Sequence, residues 1–315
     1  MQPTFPLMST QQINRRDFVK IVSALYAGMC SSFLIACDKQ AKASEALDAD
    51  DQTWQKVDEL LRQMTLEEKT MQVSCVVPLA LLDSNGLMRG QADKLLRQGI
   101  GHIAGLGMLG NKSPDAIAKS VNTIQRYLVN ETRLKIPAIF HNEALNGVVA
   151  PKFSAFPTPI SLAASWDPAA VEAMAEVMRR QMRSVGLLHA LAPVMDVARD
   201  ARWGRVTETY GEDPYLVSAL SVAFTRGIQG KDLSQGVLAC AKHFLGYAVT
   251  ESGQNMAATA IGPRELYDVY ARPFEASIRL RIALASSSIP FFTISHRGLS
   301  GIKRIRRRTI IAGNA

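Results

Sequence analysis

Three apolar runs in this chain of 315 residues each end in side chains that accept, donate or exchange protons. His141, Asn142 and Glu143 follow directly on Ile136–Phe140; Asp196, Arg199 and Asp200 follow Leu187–Met195; Lys242 and His243 follow Val237–Ala241. Carboxylates accept hydrogen bonds, lysine and arginine donate, and histidine does either, so bringing the three run ends together would make one polar pocket capable of acid–base chemistry. A barrel achieves this when successive strands each lend a residue or two to its C-terminal rim. The plainer alternative is that polar residues merely cap buried strands where loops begin. That is the better account of any single run and the weaker one of three.

The spacing of the remaining residues predicts the elements that carry these runs. Val57, Leu60, Leu61 and Met64 recur at a helical period, and Thr65-Leu66-Glu67-Glu68 fits a capping box opening a second helix. Thereafter short β-rich runs at Gly99–Leu109, Ile136–Phe140, Leu187–Met195 and Val237–Ala241 alternate with helical stretches at Asp115–Glu131, Pro168–Val185, Pro214–Gln229 and Pro263–Arg279. Asp167-Pro168 and Asp213-Pro214 each place an acidic cap before a proline in the first helical turn. Alternation of this kind demands right-handed crossovers and a parallel sheet. An open doubly wound sheet and a (β/α)₈ barrel both satisfy it, and the polar run ends favour the barrel.

Several other chemistries are weak or excluded. Gly105-Leu106-Gly107-Met108-Leu109-Gly110 matches a dinucleotide fingerprint, but Asn111-Lys112-Ser113-Pro114 separates its third glycine from the next helix, where the amides should meet a pyrophosphate. The chain has no nucleophile-elbow serine, no zinc-binding His-Glu-x-x-His helix and no phosphate loop. Its five histidines (His102, His141, His189, His243, His296) are isolated in sequence, which argues against a metal site, and His102 and His189 read as satisfied core histidines. Four cysteines are too few and too scattered for a disulfide framework. The net charge of +8 suggests nucleic acid only until it is located: seven basic residues and no acid lie beyond Arg279, so residues 1–279 carry +1. The basic tail reads as a solvated end, and no nucleic-acid partner is expected.

The first residues read as an address. Ile21–Ala36 is uncharged, follows Arg15, Arg16 and Lys20, and is shorter than the roughly 20 residues of a membrane span. Asn14-Arg15-Arg16-Asp17-Phe18-Val19-Lys20 resembles a twin-arginine export motif. Leu34-Ile35-Ala36-Cys37 resembles a lipobox with Cys37 as the acylated residue, and Asp38 after it suggests retention at the inner membrane, facing the periplasm. An ordinary signal peptide with an incidental cysteine is the alternative. The polar stretch that follows suits a tether.

The combined motifs resemble those of the glycoside hydrolase family 3 enzymes, which include exo-acting β-glucosidases and β-xylosidases. The likeness runs from about Val57 to Arg279. Its parts are Met64-Thr65-Leu66-Glu67-Glu68-Lys69, Ile136 to Gly147, Ala163-Ala164-Ser165-Trp166-Asp167-Pro168, Ala192 to Arg205 with Tyr210-Gly211-Glu212-Asp213-Pro214-Tyr215, and Ala241-Lys242-His243-Phe244. Asn146 departs from the family's usual histidine. The resemblance implies a (β/α)₈ fold of the TIM type, no cofactor and no metal, and retaining hydrolysis of a terminal β-linked glucose or xylose in an oligosaccharide. Carried over position by position, it makes Glu143, Arg205, Lys242 and His243 the contacts to the sugar in the terminal subsite. Trp203 either floors that pocket or is a buried structural residue. Each buried sugar hydroxyl without a partner costs about 1–3 kcal/mol, so a pocket mixing acceptors and donors suits such a ligand.

The resemblance stops after Arg279. The family nucleophile, an aspartate in a Ser-Asp-Trp-like motif, and the general acid are not in the sequence, and Leu280–Ala315 contains no acid. The expectation is therefore a frameshifted or truncated member: a signal at 1–36, a tether at 37–52, a barrel incomplete at its C-terminus at 53–279 and a non-family basic tail at 280–315. A non-catalytic sugar-binding remnant is the alternative from another class. β-N-acetylhexosaminidase action is disfavoured because Gly246–Asn255 lacks the further histidine of that branch. The address predicts that the full chain, expressed in a Gram-negative host, incorporates labelled palmitate, and that Cys37→Ser abolishes the label; equal labelling of the variant would rule out the lipobox.

Overall fold

The computed structural model describes residues 52–105 and 112–279. The export signal, Cys37, nearly all of the tether, the glycine run from Leu106 to Gly110 and the basic tail lie outside the described residues. The chain divides between Met64 and Thr65 into two compact units. In the first, helix α1 covers 52–63, and its half-buried residues Trp54, Val57 and Leu60 follow the helical spacing.

The second unit opens with helix α2, Leu66–Gln72, through the capping box expected at Thr65. The Thr65 hydroxyl accepts from the Glu68 amide at 3.2 Å, and the Glu68 carboxylate accepts from the Thr65 amide at 2.9 Å. Strand β1 (Cys75–Val76), a two-stranded antiparallel hairpin of β2 (Leu82–Asp83) and β3 (Gly86–Leu87), and helix α3 (Arg89–Leu95) follow. Then come β4 (His102–Ala104), α4 (Pro114–Glu131), β5 (Ile139–Asn142), α5 (Pro159–Ala163), α6 (Pro168–Ser184), β6 (His189–Ala190), α7 (Pro214–Gln229) and β7 (Leu238–Ala239). Asp167 and Asp213 cap α6 and α7 by accepting from Ala170 N at 3.0 Å and Leu216 N at 2.7 Å. Helix α4 starts at Pro114 under a Ser113 cap, so Gly110 is not at its N-terminus.

The β strands other than the hairpin form one parallel sheet in the order β1-β4-β5-β6-β7. A doubly wound sheet reverses its strand order at a switch point. This one runs strictly with the chain, which is the order of a barrel wall. Alternation assigns the faces. Ile103, Phe140, Ala190 and Ala239 are buried in a common core with Ile117 and Ile124 of α4, Met178 of α6 and Leu220 and Phe224 of α7. The alternate residues, His102, Ala104, Ile139, His141 and His189, share the opposite face in register.

The helix expected over Pro263–Arg279 is broken. Pro263–Glu265 (α8) leads into a π-helical turn, Leu266–Tyr270, and then α9, Arg272–Arg279. The Ala271 amide bonds Leu266 O, five residues back, at 2.8 Å. Pro273 has no N–H for a carbonyl four residues earlier and its ring crowds that position, so the helix widens by one residue ahead of it. The strand β1 and the hairpin are additions to the sequence reading, because two-residue strands carry no legible alternation.

Glu68 ties α2 to the segment after α4. Its side chain is 3% exposed and accepts from Arg133 Nε at 2.9 Å. The Arg133 guanidinium, then the Thr65 amide, hold its carboxyl below the ordinary value against the opposing effect of burial. The unfolded chain takes up this proton near pH 4.5 while the folded chain resists, so the contribution is complete above that pH and is lost as pH falls further. Thermal unfolding should show Glu68→Ala lowering Tm by a few degrees at pH 7, with the difference from wild type shrinking by pH 3; a constant difference would show that the charge contributes nothing.

Candidate active site

The runs that carry β6 and β7 continue pairing beyond their regular cores. Cys240 N donates to Ala192 O at 2.9 Å, Lys242 N to Pro193 O at 3.3 Å and Met195 N to Lys242 O at 2.6 Å, with Val194 and Lys242 bridged in parallel. These bonds carry Lys242 and His243 to the level of Asp196, at the ends expected to form a rim. The Lys242–His243 peptide is cis.

Lys242 is 4% exposed, and its ammonium donates to Glu143 Oε2 at 2.8 Å. Glu143 comes off the end of β5 on a loop that is fixed from within. Asn142, buried, donates to Val148 O at 3.1 Å, and Asn146 donates to Phe156 O at 3.3 Å. Asn146, where the family resemblance led us to expect histidine, is thus a loop strut. Gly147 sits at φ +105°, and a Cβ there would meet Ser154 O at 2.4 Å, so the turn admits only glycine.

His243 is oriented by Asp196, whose side chain is 1% exposed. Asp196 Oδ2 accepts from the His243 amide at 3.1 Å and lies 2.7 Å from the ring Nδ1. The carboxylate selects the tautomer with hydrogen on Nδ1, which leaves Nε2 as an acceptor facing away from Asp196. Arg205 reaches the same region from the segment after β6. Its guanidinium makes a two-pronged pair with Glu208, at 2.8 and 2.7 Å. Tyr247 joins the two: its ring is 4.8 Å from the His243 ring and 5.7 Å from the Arg205 guanidinium. Burial raises the Glu208 carboxyl, but bonded Arg205, helped by the nearby Lys242 charge, outweighs it and leaves Glu208 below the ordinary value.

All four predicted residues are therefore placed in one neighbourhood. Trp203 is 1% exposed, packs edge-on to Tyr247 at 5.5 Å and donates to Asn255 at 3.4 Å, so it is a structural tryptophan. Sequence reasoning missed Tyr247; it set Asp196 and Glu208 aside as substitutes for the absent nucleophile and otherwise named Asp196 only as a residue at a run end. The position of Asp196, ending the same run that the Lys242 strand pairs with, was the available signal.

One part of the sequence reading is corrected. The histidines are isolated along the chain, but His102, His141 and His189, from β4, β5 and β6, converge with their ring centroids 5.8 to 5.9 Å apart. Nor is His189 satisfied: both its nitrogens, like His141 Nδ1, are buried without a hydrogen-bond partner. Burial lowers all three. His141 falls to about 4, with His102 and Lys242 adding to the effect and Glu143 opposing it, and His189 falls to about 3. All three rings are neutral at pH 7. Among the described residues they are a group whose ligand atoms could hold a metal ion.

Comparison with known proteins gives a consistent family. The chain is 37% identical over 232 residues to a putative beta-xylosidase of Formosa agariphila, covering 71% of this chain and 31% of that protein. It is 27% identical over 224 residues to the periplasmic beta-glucosidase of Salmonella typhimurium, covering 70% and 27%. A crystal structure of a mutant beta-glucosidase from Listeria innocua in complex with laminaribiose matches with a TM-score of 0.62 at 30% identity, over 73% of this chain and 32% of that one. The chain thus spans about a third of the length of such relatives. Residues 65–288 match the glycosyl hydrolase family 3 N terminal domain, and the chain belongs to that family.

Proposed function

We propose that this chain is the sugar-gripping barrel of an exo-acting β-glycosidase, one that hydrolyses a terminal β-linked glucose or xylose with retention. Glu143, Arg205, Lys242 and His243 hold the terminal sugar. The observation that carries the reading is the buried Lys242 ammonium paired to a half-exposed Glu143, beside a His243 whose free Nε2 is turned from Asp196. Glu143 accepts from sugar hydroxyls, Lys242 and Arg205 donate, and His243 accepts or donates. A β-xylosidase and beta-glucosidases among the relatives support the substrate class, and the bound laminaribiose of the Listeria innocua enzyme supports a β-linked glucan.

Retention needs two carboxylates about 5 Å apart, one attacking the anomeric carbon and one protonating the leaving oxygen. The acids at the rim, Glu143, Asp196 and Glu208, are each engaged by Lys242, His243 or Arg205. Their arrangement suits binding and orientation. We also propose export through the twin-arginine translocase and anchoring in the inner membrane through Cys37, with the barrel facing the periplasm; the periplasmic relative from Salmonella typhimurium supports that compartment.

Calorimetric titration of the 315-residue protein with glucose and laminaribiose tests the grip. Lys242→Ala should weaken binding about ten- to a hundredfold, as the loss of a charge-assisted bond in a buried site predicts, and a change below about threefold would refute the assignment. Nitrophenyl β-glycosides should bind to these 315 residues without turning over. Steady hydrolysis would show instead that an acid within them serves as nucleophile.

A further inference from the structure

The family reading does not use the three histidines on the inner face of β4, β5 and β6. The parallel register puts Ala104 beside His141 and His141 beside His189, while His102 stands two residues before Ala104 on the same face. Three imidazoles thus occupy one layer of the sheet, beneath the rim that carries Glu143. A layer serving only to fill space would be built of branched apolar side chains. Here His189, 6% exposed, is packed with neither nitrogen bonded, and His141 Nδ1 is likewise bare. Buried polar groups left without partners are costly, so this layer is incomplete as protein alone.

We infer that His102, His141 and His189 form a binding site for a divalent transition cation of the zinc class, with three imidazole nitrogens as ligands and a fourth position open. One nitrogen from each ring lies within 4.8 Å of the others. Donors so spaced sit about 2.8 Å from their common centre, and inward swings of about 0.7 Å would bring them to the 2.0–2.1 Å of a zinc–imidazole bond. Small rotations of three side chains supply that movement. An all-nitrogen donor set suits zinc, cobalt, nickel or copper and does not suit magnesium or calcium, which take oxygen ligands. The charges nearest the layer, Glu143 and Lys242, are paired to each other and act on His141 in opposite senses, so the three imidazoles carry the site without help from the rim. The site stands on these side chains alone and is independent of the proposed sugar chemistry.

The test uses the full chain, stripped with chelator and titrated with Zn²⁺ or Co²⁺. The expected result is about one equivalent bound, with the visible absorption of four-coordinate Co²⁺. His102→Gln and His189→Asn, each checked for unchanged circular dichroism, should weaken binding at least tenfold. Unchanged affinity in folded variants, or no binding at about 100 μM metal, overturns the site. Long-range ¹⁵N–¹H spectra of the wild-type imidazoles decide the matter should the variants not fold. Zinc should move the ring nitrogens of His102, His141 and His189 and leave those of His243 in place; movement of His243 alone, or of none, overturns it as well.

Discussion

A lysine ammonium that is 4% exposed cannot remain charged without a partner, and this requirement organises the rim. Its partner, Glu143, lies 99 residues earlier in the chain, at the end of a strand with one other strand between. The pair forms only if β5, β6 and β7 run parallel, in chain order and in one register. A slip of one residue in β7 would turn Lys242 toward the helices, among apolar side chains. The neighbouring pair, His243 with Asp196, imposes the same demand on the run that carries β6. Strand order and site geometry are therefore one constraint seen from two sides.

The two-residue period of the strands also explains why the rim has a layer beneath it. His141 and Glu143 are two apart, so the geometry that sends Glu143 to Lys242 places His141 below it on the inner face, while Phe140 and Asn142 are buried on the other. Burial keeps the lower imidazoles neutral, and the positive charge of Lys242 reinforces this at His141 and His189. A charged polar layer thus rests on an uncharged polar one. The usual barrel filling of branched apolar side chains is replaced here by groups that need partners.

What could be read from the sequence divides along the same physical line. Local signals were legible: the Thr65 capping box, the Asp-Pro starts of α6 and α7, and polar residues at the ends of three apolar runs all correspond to what the structure contains. So did the barrel type, because the run ends implied a common rim. Features created by topology were not legible. His102 and His189 each lie in an apolar run and look like core residues; only the register of three strands reveals that they face one another, with both nitrogens of His189 bare. Tyr247 was hidden because an aromatic in an irregular segment has no periodicity, and the break before Pro273 because the apolar pattern of a helix persists through a one-residue widening.

The rim is consequently built by two different means. Glu143, Lys242 and His243 are set by strand register, by the Lys242–Glu143 ion pair and by the hydrogen bond of His243 to buried Asp196, so they inherit the rigidity of the sheet. Arg205 lies in a segment with no strand, and its position depends on packing between loops. Asp200 accepts from the Arg202 amide and guanidinium, and its carboxyl is lowered to about 2 by that partner. Gly253, at φ +67°, comes so near that a Cβ would lie 2.7 Å from Arg202 C. Trp203 locks the same segment against Tyr247, whose ring in turn meets both His243 and Arg205. Any change that loosens the 247–255 segment must move Arg205 and Glu208 together, while leaving the Lys242–Glu143 pair where the sheet holds it.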